Sequence, residues 1–428
     1  MPSDRDGNIF VKAARPFIPS PDDTLKSVGG QIVSVAYGGA VTLALLVFVA
    51  RELGPASLGI YLYLHAVAAL FAILQDGGFQ TILFREEVSP SGELGLSTGR
   101  LLSGYFGHLS LVTMLGAGII LVLPVPHRGG YLLALGYFFL RCLTNQVSSI
   151  LKGQGAFLRD ARWRIRVHTA NAIPVLAITF WTDATPETVF LGGIIGHLIV
   201  LATKTGRSTL APMTWGFPSG AVRKSSFSFI VISAASAVYF KSGIILLRHL
   251  QPDLSLVGQY GAAFRFLEGI SLFITPVAHV CFRSLRLAAP DRSLFLGRQR
   301  RMLTAATGIS LVIVVAGSFL ASPLISLAFG ARFLPAARLF PILLPTLLFL
   351  LPNAVLAQSL IALNGEKDYA IIALLCAVFS VGGNILLIPR FAASGAAWTT
   401  VATEFLLTLL LGIRLRRWRW AEADNPLI

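Results

Sequence analysis

"VGQYGAAFRFLEG", residues 257–269, places a cation and an anion inside an otherwise apolar segment. Arg265 and Glu268 are three residues apart, so a helix puts them on the same face, where they can pair. A segment this apolar is typical of a buried core helix or of a membrane span, and in either setting a charged side chain needs a partner or a function.

The composition favours the membrane. The 428 residues are 55% hydrophobic and 13% charged, with a mean hydropathy of +0.73, whereas soluble domains carry about 25% charged residues. Apolar runs of about 20 residues, the length that a spanning helix needs, recur along the chain. The sequence therefore predicts an all-α polytopic membrane protein with about twelve spans, at 28–50, 58–84, 101–123, 131–151, 165–181, 187–203, 226–249, 257–283, 303–329, 339–363, 369–389 and 394–413.

The net charge of +15 is explained by topology. The polar N-terminal segment lacks the short apolar core and cleavage site of a signal peptide, so we expect it to be a cytoplasmic tail. This placement puts most of the 35 Lys and Arg on inner segments, as the positive-inside rule requires. Both termini are therefore predicted to be cytoplasmic, and the basic charge needs no nucleic acid as a partner.

A short repeat divides the spans into two sets. Gly258-x-Tyr260 opens the eighth span as Gly59-x-Tyr61 opens the second, and each follows a long helix and an outer turn. The repeat predicts two pseudo-symmetric lobes of six helices in one orientation around a central cavity, as in transporters built from parallel repeats. The predicted parts are a tail at 1–27, an N-lobe at 28–203, a cytoplasmic linker at 204–225, a C-lobe at 226–413 and a tail at 414–428.

The chain resembles a known family along 28–413 through the order and spacing of several segments. They are "VARELGPASLGIY" (49–61), "LQDGGFQTILFRE" (74–86), "VGQYGAAFRFLEG" (257–269), "LIALNGEKDYAII" (360–372) and "NILLIPRFAASGAAWTTVATE" (384–404). The family is the polysaccharide-transport branch of the multidrug/oligosaccharidyl-lipid/polysaccharide exporters, which contains the O-antigen-type flippases.

This resemblance implies a V-shaped bundle in the bacterial cytoplasmic (inner) membrane. It implies a function in lipopolysaccharide O-antigen or exopolysaccharide biosynthesis, with an undecaprenyl-pyrophosphate-linked glycan as substrate. Membrane lipid and the glycan polymerase or ligase machinery are the implied partners. The chain departs from the family in its seventh span, "YFKSGIILL" (239–247), where members often carry Asp and this chain carries Lys241 and Gly243. A coupling-ion site in this helix is therefore not carried over.

Three cations lie within predicted spans: Arg141, Lys241 and Arg265. A charge there is costly and usually faces the bundle interior or water. Two interpretations remain open. The three cations can form a cationic lumen that binds phosphate, for which the planar fork of Arg and the point charge of Lys are suited. Alternatively, Arg265 can pair with Glu268 or Glu404, and Lys241 can pair with Glu268, in ion pairs that hold helices together.

Other polar residues within the spans are candidates for lining, gating or ion coupling. Asp76 precedes two glycines and can cap a helix break or take part in gating or coupling, and Glu404 can form a structural pair or take up a proton. Arg141, Asn145 and Ser148 share one helix face, which predicts either a cavity lining or a helix–helix seam.

The sequence predicts no metal site and no cofactor. Its three cysteines are scattered through apolar runs and have neither metal-ligand spacing nor the pattern of a disulfide framework.

Three functions are candidates for such a membrane protein. A lipid-linked oligosaccharide flippase explains the spans, the repeat, the buried cations and the resemblance. A drug or cation antiporter of the same fold would need an acidic site, whereas Arg141, Lys241 and Arg265 here balance Asp76, Glu268 and Glu404. A membrane glycan polymerase or ligase would need a large outer loop or a cluster of acidic residues. We therefore predict a flippase, hence a transporter and not an enzyme.

Overall fold

The protein is all-α in a computed structural model that describes residues 21–88, 96–271 and 274–418, and these ranges contain no strand. The helices are α1 (Pro21–Asp76), α2 (Phe79–Val88), α3 (Thr98–Val122), α4 (Arg128–Gly153), α5 (Phe157–Trp181), α6 (Pro186–Leu201), α7 (Lys204–Leu210), α8 (Gly220–Leu250), α9 (Leu254–Ser271), α10 (Ile274–Ala288), α11 (Arg292–Phe329), α12 (Leu334–Leu343), α13 (Leu347–Ala362) and α14 (Glu366–Arg416), with 3-10 turns at Ala331–Phe333 and Leu344–Thr346.

Several helices are long and apolar enough to cross a membrane. Within the described residues, length and composition select five: Gly29–Asp76, Thr98–Val122, Arg292–Phe329, Ala331–Ala362 and Glu366–Arg416. The pair α6–α7, bent by 76°, makes a sixth if it is one span. The other predicted spans lie in α4, α5, α8 and the pair α9–α10, which carry charged or polar side chains in their apolar stretches. The prediction of an all-α polytopic membrane protein is confirmed.

The two longest helices each contain two predicted spans. α1 changes direction at Gly54, where φ is 70° and ψ is 174°, just before Pro55. α14 changes direction at Ala392, where φ is 48° and ψ is −130°. A proline lacks the N–H that would continue the helix ladder, and a positive φ interrupts the helix. Each long helix is therefore a pair of limbs, and both breaks fall at predicted outer turns.

The two copies of the repeated pattern touch each other. A Cβ atom added to Gly258 in α9 would clash with the carbonyl oxygen of Pro55, and one added to Gly59 would lie 3.0 Å from the backbone nitrogen of Gly258. One turn further along α9, the side chain of Leu62 packs against Gly261. Only glycine permits such a close backbone approach. We call this contact between the second limb of α1 and α9 the outer seam.

A large hydrophobic cluster surrounds the outer seam and joins the two halves of the chain. It includes Val49, Leu58 and Leu62 from α1 and Val257 and Phe264 from α9, all of them buried. Residues of α11 and α12 belong to the same cluster.

Polar contacts reinforce the seam at its edge. The guanidinium of Arg51 donates to the carbonyl oxygens of Ala328, at 2.7 Å, and Leu327 at the end of α11. These carbonyls have no partner within the helix because it ends there. The halves are therefore closed against each other at the predicted outer end.

The segment between the halves is not a free loop. Residues of the predicted linker form α7 and the first turn of α8. The intervening residues pack on α3, where Ser103 bonds to Thr214 at 2.9 Å and Gly104 lies against Pro218. The predicted tails at 1–27 and 414–428 lie outside the described residues, except that α1 begins at Pro21 and α14 continues to Arg416.

The outer seam yields a first prediction. Gly258→Ala should weaken the closed arrangement by about 1–3 kcal/mol, because the new methyl group overfills the contact with Pro55. A cysteine introduced as Ala262→Cys, in a protein whose native cysteines are replaced by alanine, should then react faster with a membrane-impermeant maleimide. The rate should rise about tenfold for each 1.4 kcal/mol.

Gly269→Ala is the matched control for this experiment. Gly269 lies on the same helix, but a Cβ atom there has no other atom within 4 Å. Equal labelling rates in Gly258→Ala and Gly269→Ala would contradict the role of the seam.

Candidate functional site

One carboxylate holds two of the predicted cations. Lys241 Nζ in α8 lies 2.8 Å from Glu268 Oε1, and Arg265 NH1 in α9 lies 2.6 Å from Glu268 Oε2. The side chains are 18%, 26% and 20% exposed for Lys241, Glu268 and Arg265 respectively. Arg265 and Glu268 pair because three residues make nearly one helical turn. The cluster of three groups carries a net positive charge and lies where two helices meet.

The third predicted cation belongs to the opposite half of the chain. Arg141 in α4 is partly buried and places its guanidinium carbon 5.3 Å from the centroid of the Phe138 ring, a geometry in which the ring face attracts the cation. Arg141, Lys241 and Arg265 all interact electrostatically with His65 in the second limb of α1. The three cations therefore lie within electrostatic reach of one side chain, although Arg141 is not part of the Glu268 cluster.

The cation cluster borders a cavity in the second half. The cavity has a volume of about 380 Å³, and its wall includes Lys241 and Glu268 together with serines and threonines of α8, α9 and α14. A second cavity of about 590 Å³ shares Ser236, Phe240 and Leu350 with the first and extends along α10, α13 and α14. Its wall is mainly apolar but includes Glu404.

Glu404 is the centre of a buried hydrogen-bond network. It is 1% exposed, and its two carboxylate oxygens accept hydrogen bonds from Tyr239 of α8 and, at 2.6 Å, from Asn353 Nδ2 of α13. The hydroxyl of Thr408 donates to Asn353 Oδ1 at 2.8 Å. The network ties α8, α13 and α14 together. Lys241 and Arg265 both pair with Glu268, so Arg265 takes the first of the two carboxylates that the sequence left open to it.

Asp76 marks the break between α1 and α2. Its carboxylate accepts from the backbone N–H of Gly78 at 3.2 Å and from Gln146 Nε2 of α4 at 3.1 Å. Gly77 and Gly78 have φ of 58° and 75°, a conformation that turns the chain between the helices. Asp76 thus caps a helix break and links it to α4, the structural alternative that the sequence left open.

The predicted stripe on α4 has two different ends. Arg141 and Asn145 are partly buried, whereas Ser148 is buried and donates to Asp160 Oδ1 of α5 at 2.5 Å. Gln31 of α1 donates to the other oxygen of Asp160 at 2.9 Å. Ser148 is therefore part of a seam between helices, and only the Arg141 end is placed near the other cations.

Sequence reasoning did not identify Tyr239, Asn353 or Asp160. Tyr and Asn occur in many membrane helices. Nothing in the sequence near Tyr239 indicates that its partner is Glu404, more than a hundred positions away. Asp160 lies in a basic segment and is fully buried, which its sequence neighbours do not suggest. Within the described residues, no group of three His, Cys, Asp or Glu is arranged to hold a metal ion, and the three cysteines are free and buried.

Solved structures resemble this helix arrangement over most of the chain. The lipid II flippase MurJ in an inward closed conformation matches 93% of this chain and 89% of its own, with 16% identity and a TM-score of 0.70. An inward-facing multidrug resistance MATE family transporter matches 92% and 96%, with 13% identity and a TM-score of 0.71. The chain has the fold of the MOP superfamily.

The MOP fold also occurs in a Pyrococcus furiosus transporter whose reversed pocket polarity suggests a different function. It matches 91% of this chain and 96% of its own, with 14% identity and a TM-score of 0.60. No protein-family model and no curated sequence matches the chain. The prediction of the exporter superfamily is confirmed at the level of the fold. The protein is a multi-pass membrane protein with a transporter fold. Because flippases and drug transporters share this fold, the fold does not identify the substrate.

The Glu404 network yields a second prediction. Glu404→Ala should lower the thermal unfolding midpoint in detergent, because it leaves the buried hydroxyl of Tyr239 without an acceptor, at about 1–3 kcal/mol. The amide of Asn353 loses its charged acceptor and keeps only the backbone carbonyl of residue 404. Leu409→Ala in the same helix is the control, since Leu409 is 47% exposed. If the two variants unfold at the same temperature, the network does not hold the helices together.

Proposed function

We propose that the protein is a flippase that moves a polyprenyl-pyrophosphate-linked oligosaccharide from the inner to the outer leaflet of the bacterial cytoplasmic membrane. The termini would be cytoplasmic, as the distribution of Lys and Arg favours. The observation that carries the proposal is that Glu268 holds both Arg265 and Lys241 and lines a cavity together with Lys241.

The charge of this site suits a pyrophosphate. Two cations on one carboxylate leave one positive charge uncompensated within the cluster, and Arg141 adds another across from it. A single carboxylate has two oxygens, whereas guanidinium and ammonium groups together offer more donors than Glu268 can accept. A phosphate can take up these remaining donors, and the planar fork of Arg matches its oxygens. Glu268 keeps the two cations in place when no substrate is bound.

The closed outer seam supports entry of the substrate from the cytoplasmic side. With the halves packed at Gly59 and Gly258, the headgroup reaches the cations from the cytoplasmic end, while the lipid tail stays in the bilayer. Export then requires the seam to open and the inner ends to close. A membrane potential that is negative inside assists the exit of an anion by about 2.3 kcal/mol per charge at 100 mV.

Arg265 provides the direct test. In a bacterial strain that lacks its own flippase, Arg265→Ala should abolish surface glycan although the variant reaches wild-type levels in the membrane. Arg265→Lys should retain part of the export because it keeps the charge and loses the fork. Glu268→Gln should still export, since it removes no phosphate-binding group.

Arg390→Ala serves as the matched control, because Arg390 is an exposed arginine at the predicted outer turn of α14. Export at the wild-type level by an accumulating Arg265→Ala variant would sink the proposal.

A second candidate is an exporter of lipophilic cations, favoured by the cavity around Glu404. The cavity is mainly apolar, its carboxylate is buried, and no ion pair of the described residues includes Glu404. An unpaired buried carboxylate is stabilised by a cation. The purified protein would then bind tetraphenylphosphonium, and Glu404→Gln would weaken that binding at least tenfold while Glu268→Gln would not. The flippase proposal expects no such binding.

A further inference from the structure

Six rings of the first half form a continuous aromatic cluster next to Arg141. They come from the second limb of α1, from α4 and from α6, and we call them the aromatic wall: Tyr61, His65, Tyr137, Phe138, Phe190 and His197. The wall lies in the opposite half of the chain from the Glu268 cluster. The proposed phosphate site makes no use of it.

The rings are in mutual contact. Ring centroids are 5.0 Å apart for Tyr61 and Phe190, 5.1 Å for His65 and Phe138, 5.3 Å for Tyr137 and Phe138 and 5.2 Å for Tyr137 and His197. These separations are within the range of favourable edge-to-face and tilted pairs. Each ring is therefore held in a fixed orientation by its neighbours.

The wall has a buried base and a more open surface. Phe138, Phe190 and His197 are 2–3% exposed, whereas Tyr61, His65 and Tyr137 are only partly buried. The outer layer of the wall is therefore partly accessible.

Two rings of the open surface lie within electrostatic reach of the cations. His65 interacts electrostatically with Arg265 and Lys241, and Tyr61 interacts with Arg265 and with Arg141. These two rings are therefore near cations of both halves. Any headgroup whose phosphates meet these cations lies beside the rings.

Three partly exposed side chains of α4 form a helical stripe that begins in the wall and continues beyond it. Tyr137, Arg141 and Asn145 are spaced four residues apart on α4, and all three are partly exposed. Such spacing places them on one face of the helix. An aromatic face, a guanidinium and an amide therefore succeed each other along the same surface.

Two buried polar atoms behind Tyr137 have no hydrogen-bond partner. They are His197 Nε2 and Asn171 Oδ1. His197 is 2% exposed, and its ring lies against that of Tyr137. A Cβ atom added to Gly193 would lie 2.7 Å from the Tyr137 ring and 3.6 Å from Asn171 Oδ1. The packing behind Tyr137 therefore contains polar atoms as well as aromatic rings.

This combination fits one class of ligand. A hydrocarbon tail needs no imidazole, phenol or amide, and a bare phosphate needs charge instead of ring faces. A pyranose has C–H faces that pack on aromatic rings and hydroxyls that pair with polar groups at the ring edges. Binding sites for such ligands combine apolar walls with a few placed polar groups.

We propose that the aromatic wall binds the first pyranose of the substrate while the cations bind its pyrophosphate. Tyr137 and Tyr61 stack on the sugar, and Arg141 and Asn145 contact its hydroxyls or the adjoining phosphate. This inference rests on the proposed function, since it assumes a substrate that joins sugar to pyrophosphate. It adds that the two halves of the chain recognise different parts of one headgroup.

The test separates sugar binding from phosphate binding. Full-length protein in nanodiscs is titrated with polyprenyl pyrophosphate and with the same lipid carrying one pyranose, either glucose or N-acetylglucosamine. Wild type should bind at least one of the glycosylated lipids about tenfold more tightly than the unglycosylated lipid, a gain typical of stacking on one aromatic ring.

The variants separate the contribution of the sugar to the affinity from the contribution of the phosphates. Tyr137→Leu should reduce the tenfold gain to less than about threefold and leave the affinity for unglycosylated lipid unchanged, whereas Tyr137→Phe should keep the gain because it keeps the ring face. Arg265→Ala should lower the affinity for both lipids by a similar factor. Phe139→Leu is the matched control, since Phe139 is the next residue but one along α4 and packs against Phe106 of α3.

Each outcome supports or overturns one part of the proposal. Loss of the gain in Tyr137→Leu alone supports the wall. Equal wild-type affinity for the glycosylated and unglycosylated lipids, or an undiminished gain in Tyr137→Leu, overturns the wall and leaves the proposed flippase standing. Loss of the gain in Tyr137→Phe as well as in Tyr137→Leu overturns stacking. Failure of the wild type to bind any of these lipids overturns the proposed function and the wall with it.

Discussion

Glu268 holds Lys241 and Arg265 within a bundle of apolar helices, and the candidate site depends on this arrangement. An uncompensated charge inside a membrane is costly, so two cations are retained there only if a carboxylate or a water-filled space stabilises them. One carboxylate compensates only part of the positive charge of two cations. It lets α8 and α9 pack together in the absence of substrate and leaves donors that an anion can use. In the proposed function, structural pairing and anion binding are two states of the same three side chains.

The outer seam gives this site its geometry. Because Gly59 and Gly258 allow backbone contact between the second limb of α1 and α9, the helix that carries Arg265 and Glu268 is pressed against the helix that carries Tyr61 and His65. The cations of one half therefore face the rings of the other. A transporter that changes access by separating its halves at the outer end would break this contact, so the same glycines that position the site also lie where the motion must begin.

The second half carries two carboxylates in different settings. Glu268 is paired with cations at the wall of one cavity, and Glu404 is buried among Tyr239 and Asn353 at the wall of the adjoining one. Solved structures that resemble this chain include the lipid II flippase MurJ and a MATE multidrug transporter, so the fold does not identify the cargo. The net positive charge near Arg265 is what supports the proposed anionic cargo.

The sequence alone determined the all-α membrane class, and it displayed the repeat at Gly59 and Gly258 and the three cations within apolar segments. These follow from composition, helical period and the cost of charge in a bilayer, which act locally along the chain. Only the tertiary structure decided that Glu268 and not Glu404 holds the cations, that Asp76 caps a helix break, and that Ser148 belongs to a seam with Asp160. It also decided that Tyr61, His65 and Tyr137 stand beside Arg141. These outcomes depend on which helix faces pack together, and side chains far apart in sequence meet only after packing has occurred.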